Sequence, residues 1–406
     1  MMLLMKIALT TDTYWPRING VTVVVDGLRR CLAARGHDVR VFAPSYDTDT
    51  GCPPVEDPPN VMRFASFRPP LSHEDRLGWP SDRWRINRVL GDWKPDIVHS
   101  HSEFTIGFSG TMYCHRTGTP HVMTRHTMWE DFIMSYVPAT PPWLARSIVK
   151  TWSRVTYRRV DSLVVPAEHV RRLIRSYGVK TPVDVITNGV DFGRTERAVP
   201  ADASERIERI LASVEGRRVL ITVSRIAREK NIDFLLDVVN VLPQTPSQVV
   251  LLVVGDGPYR RELQQKVAAA GLSDRILFTG YIGRSEVAAL LSRADAFVFA
   301  SKTETQGLVV LEAMACGTPI VAVKACGVDE MIDGSWGTEL VPEDPLLFAS
   351  RVTELLSDDQ LRMSCAARGR EASKKWTFET MTERTLILYE NLLRARPGRK
   401  SQYASH

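Results

Sequence analysis

Residues 296–323, AFVFASKTETQGLVVLEAMACGTPIVAV, decide how the rest of the chain is read. Ala296–Ala300 and Pro319–Val323 are short apolar runs, each the length of a buried strand. Between them a helix opens near Gly307 and closes at Gly317, which is placed for the left-handed residue that ends helices. Strand, helix and strand in so short a span make a crossover unit, and crossover strands are parallel. The alternation extends outward. Val219–Ser224, Val249–Gly255 and Ile276–Thr279 are strand candidates, with a helix over 231–242. In the first half, Lys6–Thr10, Val39–Ala43, Ile97–His99, His121–Thr124 and Leu163–Pro166 repeat the pattern. Val21–Arg35 reads as a helix, because Val21, Val24, Val25, Leu28 and Leu32 recur at helical spacing and Gly36 can end it.

Two such series predict an α/β protein of two doubly wound, parallel-sheet domains. The break falls at the turn Asn188-Gly189, after a strand at Val183–Thr187, giving domains 1–188 and 189–377. Phe378, Met381, Leu388, Tyr389 and Leu392 share one face of a last helix, about 378–394, which needs a groove and is expected to return to the first domain. The basic, polar tail 395–406 is expected to be disordered.

Composition supports two ordinary globular domains: 406 residues, 44% hydrophobic and 24% charged, exclude collagen, coiled coil and wholesale disorder. The six Cys form no CxxC pair, so neither a disulfide scaffold nor a zinc ribbon is expected. No run approaches the roughly 20 apolar residues of a spanning helix. Met1–Met5 is too short for a signal peptide, so a cytoplasmic protein is expected. Residues 1–200 hold 26 Lys/Arg against 20 Asp/Glu, while 201–406 hold 26 against 27. The cationic excess lies wholly in the first half and points to an anionic partner there. No nucleic-acid-binding motif accompanies it.

Ligands of open parallel sheets lie beyond the carboxyl ends of the strands, so the loops there carry the candidate chemistry. Gly20, after Asn19, opens a helix whose amides could face an anion. Arg225 and Lys230 stand five residues apart in one loop and could converge on a diphosphate. Gly255-Asp256-Gly257-Pro258 offers a second place for close backbone approach. In the opening stretch Glu304 lies in a loop, Gly307 and Leu308 open a helix, and Glu312 projects from it. Carboxylates beside a phosphate-binding helix end make sense as acceptors for the neutral hydroxyls of a sugar. In the first half His126, after the strand His121–Thr124, could meet a substrate hydroxyl. His99 and His101 lack an evident third metal ligand, and Asp47-Thr48-Asp49 reads better as a solvated turn than as a cation site. GxGxxG, GxSxG, HExxH and Walker A sequences are absent, which lowers oxidoreductase, hydrolase, zincin and NTPase readings.

Taken together these residues resemble the retaining glycosyltransferases of family 4, which have the GT-B fold of two facing Rossmann-like domains. The most specific part is the Glu-x7-Glu motif, Glu304 to Glu312. Asn188-Gly189-Val190-Asp191, Ser224-Arg225 with Glu229-Lys230, and Gly255-Asp256-Gly257-Pro258 flank it. The resemblance implies that Glu304 binds the donor sugar, Glu312 the ribose, and Arg225 and Lys230 the diphosphate, with amides around Gly20, Gly307 and Leu308. It implies that His126 touches the sugar and that Tyr281 and Ile282 border the base. It also implies no metal and no other cofactor, and same-face attack without a covalent enzyme intermediate. Two departures are Gly20 alone where many relatives have two Gly, and Ala325-Cys326-Gly327 where Gly-Gly is common.

Within the family, His101-Ser102-Glu103-Phe104 and 126–131 look most like bacterial diacylglycerol glucosyltransferases, monotopic enzymes that use UDP-glucose. Independently, Leu144, Ile148, Trp152 and Val155 fall within about 80° on a helical wheel. Arg146, Lys150, Arg154 and Arg158 occupy another face, a pattern suited to an anionic membrane surface. Arg63–Lys94, with Trp79, Trp84 and Trp93, is a second basic, aromatic stretch. The expectation is a hexosyltransferase, peripheral on the inner face of the cell membrane, moving glucose to a lipid such as 1,2-diacylglycerol. GDP-mannose or UDP-galactose, with a phospholipid or soluble acceptor, stays open. So does a nucleotide-sugar epimerase or a non-catalytic nucleotide-sugar-binding protein.

Overall fold

The computed structural model describes residues 4–17, 19–46, 57, 59–69, 75–136, 140–191, 201–243, 249–325, 327–330, 332 and 338–395. Asp47, Asp49, Cys52, Cys326 and the tail beyond Ala395 lie outside them. Two compact units emerge, one of Met1–Gly189 with Phe378–His406, the other of Val190–Thr377.

The first unit begins β1 (Lys6–Thr10), α1 (Gly20–Ala34) and β2 (Asp38–Pro44), then β3 (Val61–Phe64). A small antiparallel pair, β4 (Ser66–Phe67) and β5 (Leu77–Gly78), precedes α2 (Arg83–Trp93). There follow β6 (Ile97–Ser100), α3 (Thr105–Thr117), β7 (His121–Thr124), α4 (Trp129–Tyr136) and α5 (Pro142–Tyr157). β8 (Ser162–Val165), α6 (Glu168–Ser176) and β9 (Val183–Val185) end the continuous part. Its main sheet is parallel throughout, ordered β3-β2-β1-β6-β7-β8-β9.

The second unit holds α7 (Ala201–Ala212), β10 (Arg218–Val223), α8 (Ile232–Val241), β11 (Val249–Val254), α9 (Arg260–Ala269) and β12 (Ile276–Gly280). Then come α10 (Arg284–Arg293), β13 (Ala296–Phe299), α11 (Leu308–Cys316), β14 (Ile320–Val323), β15 (Thr338–Val341), α12 (Pro345–Ser357) and α13 (Asp359–Ser373). Its sheet, also parallel, is ordered β12-β11-β10-β13-β14-β15. β11 shows why such strands read as unbroken apolar runs: all six residues are buried. Val249, Leu251 and Val253 enter one core cluster, and Val250, Leu252 and Val254 the other. Helices therefore cover both faces of this sheet.

The last helix, α14 (Phe378–Arg394), packs on α1. Phe378 is buried where a Cβ on Gly27 would come within 2.2 Å of its ring. The missing side chain of Gly27 is thus the slot that admits the aromatic ring. Arg30 lies over the same ring, 5.9 Å from its centroid. Cys31, Cys114, Cys316 and Cys365 are buried free thiols.

Candidate active site

In the second unit the loops at the carboxyl ends of β10, β11 and β12 are joined by backbone hydrogen bonds. Ser224 N donates to Val254 O at 3.1 Å and Ile226 N to Asp256 O at 2.9 Å, with half-buried Arg225 between them. Gly255 has φ 133°, and a Cβ there would lie 2.0 Å from Ser224 O. Only glycine lets the loops after β10 and β11 run this close. Lys230 ends a 3-10 turn, Arg228–Lys230, and the left-handed Asn231 (φ 54°) turns the chain into α8.

Lys230 reaches the loop after β13. Its Nζ lies 2.6 Å from Glu304 Oε1, the two side chains being 20% and 15% exposed. Glu304 is seated from the other side by Gly327 (φ 89°), where a Cβ would approach the Glu304 carbonyl oxygen to 2.1 Å. Gly307 (φ 70°, ψ 57°) then starts α11 with no side-chain cap on its amides, leaving donors at a positive helix end. Leu308 is the first helical residue, half-buried.

Glu312, on α11, has a partner that sequence reasoning missed: Arg284 Nη2 donates to its Oε1. Arg284 is the first residue of α10, after Gly283, whose amide is capped by Glu286 Oε2 at 2.6 Å. The Gly-x-x-Glu capping pattern at 283–286 is the signal that could have drawn attention to Arg284 as a cation at a helix start. Tyr281 is 48% exposed, whereas Ile282 is 5% exposed and packs in the core. The side chain available at that loop is therefore that of Tyr281. Arg206 Nη2 fixes the loop by donating to Tyr281 O at 2.7 Å.

In the first unit Gly20 is exposed at the start of α1, where Asn19 Oδ1 caps the Thr22 amide at 2.9 Å. His126 lies beyond β7 against His101, with His101 Nδ1 and His126 Nε2 3.0 Å apart, one donating and the other accepting. His99 stacks near His101, ring centroids 4.1 Å apart. Its Nδ1 lies 2.6 Å from Tyr389 Oη on α14 and its Nε2 2.6 Å from Thr124 Oγ1. These imidazoles hydrogen-bond to one another and to hydroxyls, and among the described residues no group of three His, Cys, Asp or Glu could hold a metal. Burial pulls His126 down to about 4. It also holds His99 and His101 well below the usual range, reinforced by the neighbouring histidines. All three are uncharged at neutral pH, so His126 can offer a hydrogen bond but not a cation.

The loops carrying His101 and His126 rest on a buried polar cluster. Glu103 accepts from Tyr157 Oη at 2.8 Å and from Trp129 Nε1 at 3.3 Å. Arg125, fully buried, donates to Ser153 Oγ at 3.2 Å and pairs with Glu130 at 3.1 Å. Tyr157 and Ser153 belong to the inner face of α5, with Ala145 and Val149.

The outer face of α5 is open. Trp143 (71%), Ile148 (49%), Val155 (43%) and Leu144 (37%) are all exposed. Arg146 and Arg158 are exposed and Lys150 half-exposed beside them. Of the other residues expected on this surface, one is not exposed and one is exposed but hydrogen-bonded to the fold. Trp152 is half-buried, packed edge-on to Trp129 at 5.5 Å and stacked near Phe104 at 6.0 Å. Arg154 turns its Nε to the Tyr177 carbonyl at the end of α6, because that helix end leaves a carbonyl to be satisfied. Of the second aromatic stretch, Trp79 and Trp84 are exposed. Trp93 is not: it is buried, donates to Asp38 Oδ2 at 2.9 Å and carries Arg40 over its ring at 4.4 Å. Among the described residues no helix is long and apolar enough to cross a membrane.

Residues 18–194 match the family described as Glycosyltransferase Family 4, and residues 203–372 match Glycosyl transferases group 1. An alpha-monoglucosyldiacylglycerol synthase of Streptococcus pneumoniae is 33% identical over 78% of this chain and 71% of its own length. A GDP-mannose-dependent alpha-mannosyltransferase of Mycolicibacterium smegmatis is 29% identical over 92% of this chain and 94% of its own. The crystal structure of Anabaena HepE in complex with UDP superposes with a TM-score of 0.72 at 20% identity, covering 95% of this chain and all of that one. The fold is thus GT-B, and the chain belongs to glycosyltransferase family 4, a hexosyltransferase by its relatives.

Proposed function

We propose that this enzyme moves glucose from UDP-glucose to a lipid acceptor such as 1,2-diacylglycerol, with retention at the anomeric carbon, no metal ion, and at an anionic membrane surface. The observation that carries the lipid reading is the outer face of α5. Four exposed apolar side chains, Trp143, Leu144, Ile148 and Val155, share a helix with Arg146 and Lys150. Exposed tryptophan and aliphatic residues beside cations suit the headgroup region of an anionic bilayer. The Streptococcus pneumoniae relative, named for a glucosyl lipid, supports the same choice.

The second unit supports the donor end of this reading. Arg225, Lys230 and the uncapped amides of α11 offer positive charge and donors to a diphosphate, the group on which charge builds as the glycosidic bond breaks. Glu304, held by Lys230, accepts from sugar hydroxyls, and Glu312 accepts from the ribose. No nucleophile is assigned on the enzyme; the acceptor hydroxyl attacks the face the nucleotide leaves, through an oxocarbenium-like state, as the bond to the diphosphate breaks and a departing phosphate oxygen takes the hydroxyl proton. His126, uncharged, hydrogen-bonds the sugar.

The test is a thin-layer assay with radiolabelled UDP-glucose, UDP-galactose or GDP-mannose, each given diacylglycerol in anionic micelles with EDTA. A labelled lipid from UDP-glucose alone supports the reading. A product only from GDP-mannose or only with soluble acceptors moves the enzyme toward the Mycolicibacterium smegmatis relative. EDTA-sensitive turnover overturns the metal-free mechanism.

A further inference from the structure

The pairing of Arg284 with Glu312 joins two elements, α10 and α11, that the proposed donor site uses separately. Tyr281, exposed, and Arg284 sit at opposite ends of the short connection from β12 to α10. That connection is rigidly framed: Arg206 holds the Tyr281 carbonyl, and Glu286 caps the Gly283 amide. From this frame the Arg284 guanidinium reaches across to α11 and engages one carboxylate oxygen of Glu312. Both side chains are about three-quarters buried, 27% and 25% exposed. A flexible surface couple would be worth little. Here the guanidinium is anchored at a helix start and the carboxylate on a facing helix, so the pair fixes a rotamer.

We propose that Arg284 is a positioning residue for nucleotide recognition: by occupying Glu312 Oε1 it aims Oε2 at the hydroxyls of the donor's ribose. The inference rests on the assignment of Glu312 to the ribose. It adds that the loop bordering the base and the acid binding the ribose act as one unit. A carboxylate has about four acceptor positions, and a guanidinium on one oxygen leaves the other to take two hydroxyls. Without Arg284, Glu312 samples several rotamers and the ribose must order it on binding, which costs affinity.

The experiment measures the affinity of UDP and GDP, each against its 2′,3′-dideoxy counterpart, by calorimetry on the whole chain. In the unsubstituted enzyme the cognate nucleotide should bind about tenfold or more tighter than its dideoxy form, the value of hydrogen bonds to a charged group. Arg284→Met should weaken the cognate nucleotide and shrink that ratio below about threefold, while leaving the dideoxy affinity near its original value. Arg284→Lys should restore part of the ratio. Adding Arg284→Met to Glu312→Gln should cost nothing further, because Arg284 acts through Glu312. An undiminished ratio in Arg284→Met, or tighter binding because Arg284 had been competing with the ribose, overturns the proposal. If the unsubstituted enzyme binds a nucleotide but ignores the ribose hydroxyls, the Glu312 assignment itself fails. If it binds neither UDP nor GDP, the donor reading fails first.

Discussion

Tyr157→Phe should destabilise the first unit, and by an amount that depends on pH. Glu103 is 7% exposed, and two neutral donors serve its carboxylate, Tyr157 Oη at 2.8 Å and Trp129 Nε1 at 3.3 Å. Burial raises the Glu103 pKa above the ordinary 4.5, opposed first by Arg125 and then by the hydrogen bond from Tyr157. A folded-state value raised this way contributes stability below the ordinary value, which is lost as pH rises through the raised one. Removing the Tyr157 hydroxyl raises it further. The cost of the substitution is therefore smaller at acid pH, where protonation of Glu103 is favoured, and reaches its full size once the carboxylate is charged. A hydrogen bond to a buried charged group is worth about 1.5–3 kcal/mol, against about 0.5–1.5 for a neutral one. At about 2 kcal/mol, a unit of this size should melt about 4–8 °C lower at pH 8. At pH 4.5 the difference should halve or better. Paired thermal and urea unfolding of both proteins at the two pH values measures this. Equal destabilisation at both, or none at pH 8, would refute the account of Glu103 as a buried carboxylate held by Tyr157.

Other substitutions probe the remaining parts. Glu304→Ala and Lys230→Ala should each lower kcat by about 10²–10³-fold, the usual cost of a lost electrostatic contact at a transition state, with circular dichroism unchanged; near-normal turnover removes that residue from the site. Gly255→Ala must tolerate both φ 133° and a 2.0 Å approach to Ser224 O, so a loss of about 1–3 kcal/mol is expected in urea titration. Arg146→Glu with Lys150→Glu should weaken binding to anionic vesicles by tenfold or more, at about 1 kcal/mol per cation near the surface, and should spare donor hydrolysis. Unaltered co-sedimentation would detach α5 from the membrane.

The parallel strands were legible because burial on both faces leaves no polar period, as β11 illustrates, with its limits misjudged by one residue. Strands β3 and β15 escaped notice. Each is four residues long, includes polar side chains, and sits at a sheet edge where only one neighbour constrains it. The acidic motif could be found because its loop and helix are contiguous in the chain. Arg284 could not be linked to Glu312 from spacing, since only the packing of α10 beside α11 brings residues 28 apart together. His101 was visible and its pairing with His126 was not, for the same reason. Trp93 shows the converse limit: a tryptophan in a basic stretch can be buried, its indole N–H taken by a carboxylate on a neighbouring strand that only tertiary structure supplies.

The route of the backbone has a consequence for biosynthesis. The chain leaves the first unit at Gly189 and returns to it at Phe378, with Val190 and Thr377 bridged side by side where it departs and comes back. The second unit is one uninterrupted stretch and can close as soon as it clears the ribosome. The first cannot. Until Phe378–Arg394 has been made, the slot at Gly27 is vacant and His99 lacks its bond to Tyr389. The earlier-made half must therefore wait, partly assembled, for the later one, which reverses the usual order of maturation along a nascent chain. A released chain truncated after Thr377 should resist proteolysis in its second unit and remain cleavable in its first.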